Sequence, residues 1–96
     1  MVSIALHKQD ANDIRSNIKQ LKAVKKLLPF IKPNKKGCKV ISIVEHDLAR
    51  GGIYHLEFYD DGRILLIHTL YSRVSIKATF KTIEEAFEYV RENLWV

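Results

Sequence analysis

An α+β fold of order (β)αββββα, an antiparallel β-meander with two helices packed on one face, is what the sequence predicts. Three observations predict it. Apolar residues recur at helical spacing near both ends of the chain. Four β-branched or alternating stretches lie between those helices. The connections are short and built from Gly, Pro, Asn and Asp, which favours sequential antiparallel pairing. A chain of 96 residues is expected to form one domain over 1–96, with a modest core and no large enclosed site.

Val2, Ile4 and Leu6 alternate with Ser3, Ala5 and His7 and suggest a short first strand. Asp10 or Asn12 can cap the next helix, and Asp13 suits its first turn because a negative charge opposes the positive helix end. Ile14, Ile18, Leu21 and Leu28 form the apolar stripe of that helix, which stops at Pro29. Residues 32–37 form a loop by their Pro, Asn and Gly content. Val40 to Val44 reads as a buried strand, and residues 47–52 as the connection after it.

Ile53 to Tyr59 and Arg63 to Thr69 are two strands joined at Asp60-Asp61-Gly62, a hairpin signature. After a turn at Tyr71-Ser72, Arg73 to Lys81 alternates. Val74, Ile76, Ala78 and Phe80 are expected to face the helices, and Arg73, Ser75, Lys77, Thr79 and Lys81 the solvent. Thr82-Ile83-Glu84-Glu85 is a capping box. Ile83, Phe87, Val90 and Leu94 then form the apolar line of a terminal helix, Glu84, Glu88 and Glu92 an acidic ridge, and Trp95 a lid on the core.

Hairpin register decides what the second face of the sheet displays. A three-residue turn pairs Tyr59 with Arg63. It sends Tyr54, Leu56, Phe58, Ile64 and Leu66 to the core and His55, Glu57, Tyr59, Arg63 and Thr69 to the open face. This register is preferred because it separates apolar from polar residues better. A two-residue turn would instead set His55 opposite His68 with Glu57 beside them, a metal or acid–base cluster.

Charge carries the strongest functional signal. The net charge is +5. Residues 1–50 hold eleven cations against four carboxylates, and residues 51–96 five against seven, so the halves carry +7 and −2. Arg15, Lys19, Lys22 and Lys26 fall within roughly 60° of one another at helical periodicity, which makes one basic stripe. Lys32, Lys35, Lys36 and Lys39 continue it into the following loop. A row of cations at this density suits the closely spaced phosphates of nucleic acid, or an acidic protein surface. Lysines act as point charges that position a backbone, while base reading falls more to Arg, Asn and Gln. Weak sequence specificity and steep salt dependence are therefore expected. Solvated lysines on an ordinary helix face are the plain alternative.

Arg73, Lys77 and Lys81 offer a secondary binding row, with Tyr59 or Tyr71 as stacking platforms. The same cations also suit an edge strand guarded against strand addition. The acidic ridge can meet a basic partner, or the basic helix of a second copy in a homodimer.

Other classes are constrained. Cys38 is the only cysteine, so an internal disulfide and a Cys-rich zinc site are excluded, and a reducing compartment, the cytoplasm, is expected. A small buried residue opening a strand is its expected role. No stretch approaches the length of a membrane span, so no membrane association is expected. Nucleophile-elbow, phosphate-loop, zincin and C-x-x-C motifs are missing from the sequence. No cofactor or metal is implied. Three functions remain, in order: a non-enzymatic nucleic-acid-binding module, a small regulatory or inhibitory protein docking through a charged helix face, and a small ribonuclease. The last would use His55, Glu57 and Arg63 as acid, base and charge stabiliser.

Overall fold

The computed structural model describes residues 5–7, 14–44 and 52–94. The suggested caps at Asp10 and Asn12, the first-turn Asp13, the start of the first strand at Val2 and Ile4, and Trp95 lie outside them. Five strands, β1 (Ala5–His7), β2 (Lys39–Val44), β3 (Ile53–Phe58), β4 (Ile64–Leu70) and β5 (Arg73–Phe80), form one sheet in chain order. Helix α1 (Ile14–Leu27) lies between β1 and β2, and α2 (Ile83–Tyr89) follows β5. The architecture is α+β, as the sequence predicts.

Strands β2 to β5 are the antiparallel meander. β1 adds one parallel pairing, with Ala5 beside Ser42 and Leu6 beside Ile43. The intervening helix explains the polarity: it carries the chain back along the sheet, so β2 can start again at the end where β1 started.

Both helices cover one face. Val24 from α1, with Ala86 and Val90 from the C-terminal helical segment, joins Ile41, Ile43, Leu56, Phe58, Ile64, Leu66 and Phe80 in a single core. Leu21 and Leu28 of the apolar stripe are half-buried, and Val24 is buried. The α-helix ends at Leu27 and passes into a 3-10 turn, Leu28–Phe30, with Pro29 in its first positions. Proline tolerates that place because the first helical N–H groups lack partners anyway.

Thr82 caps α2 by accepting from the Glu85 N–H at 3.2 Å. The Glu85 carboxylate reaches back to the Lys81 N–H at 3.4 Å, one residue before the expected partner. The helix then widens into a π-helical turn, Val90–Leu94, where the Asn93 amide donates to the Tyr89 carbonyl at 3.0 Å.

The preferred hairpin register is the one found. Tyr59 N–H donates to Arg63 O at 2.9 Å, and Gly62 N–H to Tyr59 O at 3.0 Å. His55 therefore pairs with Ile67, and His68 with Tyr54 on the helix side, their rings stacked at 4.4 Å. The two histidines sit on opposite faces, so the His55–His68–Glu57 cluster does not form.

Strand β5 departs from strict alternation. Leu66 pairs with Ala78 but Ile67 pairs with Ile76, which leaves Lys77 as the extra residue of a bulge. The inserted residue reverses the phase of everything before it. Ala78 and Phe80 face the core as expected, but Val74 and Ile76 turn to the other face and stand 63% and 62% exposed. That second face is not uniformly open. Glu57, Leu65 and Ile67 on the inner strands are buried, while Ile53, Val74 and Ile76 are exposed nearer its rim.

Candidate nucleic-acid interface

Three side chains of the helix stripe, Lys19, Lys22 and Lys26, are exposed. At 100° per residue they lie roughly 160° from the arc of Leu21, Val24 and Leu28. The packing of Val24 and Leu28 thus aims the stripe away from the sheet. Arg15 belongs to the first turns of the same helix. Lys32, Lys35 and Lys36 are exposed in the next loop. None of these six lysines forms an ion pair among the described residues.

Lys39 is placed differently. It is half-buried on the helix side of β2, and its ammonium donates to the Leu28 carbonyl at 2.9 Å. It ties down the end of α1 instead of standing free in the basic loop.

Asn34 organises that loop. Its side-chain oxygen accepts from the Lys36 N–H at 2.9 Å, the Cys38 N–H at 3.2 Å and the Cys38 thiol at 3.4 Å. Its own N–H donates to Cys38 O at 2.8 Å, and Gly37 N–H returns to Asn34 O at 2.9 Å. Gly37 has φ 83°, a left-handed conformation that residues with a Cβ avoid. Cys38 is fully buried beneath this turn, the structural role its sequence position suggests. Lys35 and Lys36 therefore ride on a closed, hydrogen-bonded tip.

The β3–β4 turn repeats the design. Tyr59-Asp60-Asp61-Gly62-Arg63 has the same two backbone bonds, with Gly62 at φ 92°. Because Lys39 pairs with Phe58, the two loops emerge side by side at one end of the sheet. One tip carries two lysines, the other two aspartates. Asp61 is bonded to the Arg63 side chain at 2.7 Å. The Arg63 backbone N–H, then the side chain, hold its carboxyl below the usual value.

The remaining sequence candidates scatter. By register Arg73 lies on the helix side of β5, Lys77 sits in the bulge and Lys81 follows the strand end, so they make no single row. Tyr59 is half-buried, with the Arg63 guanidinium 4.8 Å from its ring centre, so one ring face is occupied. Tyr71 is exposed in the β4–β5 turn, at the opposite end of the sheet from the basic loop.

The would-be nuclease residues are partly assembled. His55 Nε2 lies 3.3 Å from Glu57 Oε2, and the Tyr59 hydroxyl donates to Glu57 Oε1 at 2.9 Å. The carboxylate acceptor and burial hold the Tyr59 phenol protonated to higher pH than usual. Arg63, the third member, is held by Asp61 and the Tyr59 ring. Among the described residues no group of three His, Cys, Asp or Glu side chains is arranged to hold a metal ion. No helix there is long and apolar enough to cross a membrane.

One exposed residue escaped the sequence pattern. Phe30 is 68% exposed at the end of the 3-10 turn, between Lys26 and Lys32 in the chain. Periodicity cannot identify it, because Leu28, Phe30 and Ile31 are all apolar and the turn geometry selects which of them point inward. Comparison with family models, curated proteins and solved structures finds no significant match.

Proposed function

We propose that the protein is a non-enzymatic binding module that contacts the nucleic-acid backbone, with little sequence specificity, through α1 and the Lys32–Lys36 loop. One observation carries the reading: six lysines of this continuous helix-and-loop segment are exposed, and none is neutralised by an ion pair among the described residues. The flanking cations are, by contrast, engaged: Lys25 with Glu84 and Lys39 with Leu28 O. The neighbouring Asp60-Asp61 tip repels phosphate, which favours a strand running along α1 over one crossing the sheet end. A solitary buried cysteine suits the reducing cytoplasm, where this reading places the protein.

The test is a salt series of gel shifts with wild type and with Lys19, Lys22 and Lys26 all changed to Glu. Binding that falls steeply with salt in the wild type, and disappears in a triple variant with unchanged circular dichroism, supports phosphate contacts. Undiminished binding by the folded triple variant overturns the reading. A partner retained from lysate after nuclease treatment, with no shift of any oligonucleotide, transfers the same patch to an acidic protein surface and the regulatory role.

A further inference from the structure

From Phe30 we infer a base-stacking site: the preferred ligand of the basic surface is single-stranded nucleic acid, with an unpaired base laid on the Phe30 ring. This rests on the backbone-contact reading above and names its substrate class. Phe30 is 68% exposed, so its ring is accessible and a ligand that covers it gains by removing apolar surface from water. It is not a core residue out of place. Leu28 packs against the core and Ile31 is buried, so the inward positions of this turn are already filled.

The turn is also held from two sides. Ile31 N–H donates to Leu28 O at 3.2 Å, and the Lys39 ammonium to the same oxygen at 2.9 Å. Pro29 fixes one more backbone angle. Phe30 thus projects from a pre-organised backbone, which lowers the ordering cost of binding. Lys26 stands about one helical turn before it and Lys32 two residues after it, both exposed.

An aromatic face flanked by cations is the arrangement that holds single strands: cations track the phosphates and the ring takes a base, whatever its identity. A duplex keeps its base faces stacked inside and offers nothing to such a ring. The two tyrosines considered from sequence are less suited, since Tyr59 has one face under Arg63 and Tyr71 lies at the far end of the sheet.

Fluorescence anisotropy at low salt tests this with three ligands of equal length: a pyrimidine single strand, its duplex, and the same strand with abasic sugars in place of its central nucleotides. The base-bearing single strand is expected to bind best. Phe30→Ala should weaken it by roughly five- to a hundred-fold, to the level of the abasic strand, with the salt slope unchanged. Phe30→Trp should restore binding and Phe30→Leu should not. Equal affinity for base-bearing and abasic strands overturns the stacking site while leaving the phosphate contacts standing. So does an inert Phe30→Ala when the triple lysine reversal still abolishes binding. No binding of any strand, even at low salt, overturns the parent reading and the stacking site with it.

Discussion

A single side-chain oxygen, that of Asn34, accepts three hydrogen bonds and fixes the loop that displays Lys35 and Lys36. The Cys38 N–H that it satisfies is part-buried, so its loss leaves a donor without a partner. Asn34→Ala is expected to cost about 1–3 kcal/mol in urea unfolding. Gly37→Ala, at φ 83°, should cost about 1–2 kcal/mol for conformational reasons, since no other atom crowds that position. An Asn34→Ala protein as stable as the wild type would show that the loop is held by its neighbours instead. The loop itself was legible in the residue types Pro, Asn and Gly. The convergence on Asn34 was not, because three donors meeting one acceptor is a property of the folded turn.

At the scale of elements, the chain follows its periodicities except where one residue is inserted. The hairpin register was readable because only one pairing puts Tyr54, Leu56, Phe58, Ile64 and Leu66 on a common face. Before Lys77, β5 runs in the opposite phase to the one its alternation predicts. Its sequence alternates from Arg73 to Lys81, and nothing local marks a bulge that arises only when the strand pairs with β4. This difference is measurable. Val74→Thr and Ile76→Thr, on the exposed rim, should each change stability by less than about 0.5 kcal/mol. Leu66→Ala, in the core and fully buried, should cost about 2–5 kcal/mol. A loss of core magnitude at Ile76 would contradict the observed phase.

Over the whole molecule, the fold brings the basic and acidic halves together along one helix flank. Lys25 of α1 pairs with Glu84 of α2, so the acidic ridge meets the chain's own basic helix at that point. The Lys25 ammonium, aided by the backbone N–H, holds the Glu84 carboxyl below its ordinary value. A carboxyl with a lowered pKa in the folded state stabilises the fold above its unfolded value, and that contribution is lost as pH falls through the folded one. Asp61 acts in the same direction through Arg63. The thermal midpoint should therefore decline as pH drops below about 4. Both carboxylates are exposed, so the decline is shallow. Glu84→Gln should flatten part of it. An acid profile identical to wild type would mean that the pair contributes nothing.

Residue order alone suffices for the α+β class, the meander, the hairpin register and the stripe of Arg15, Lys19, Lys22 and Lys26. Each depends on periodicity or on turn chemistry, which are local and printed in residue order. Long-range packing ties Lys39 to Leu28, turns Val74 and Ile76 outward, sets a lysine tip beside an aspartate tip, and leaves Phe30, which lies between Lys26 and Lys32 in the chain, in solvent. Those outcomes depend on which strand ends become neighbours and which apolar residue of a tight turn wins the core. Such competitions are settled by packing between segments far apart in the chain.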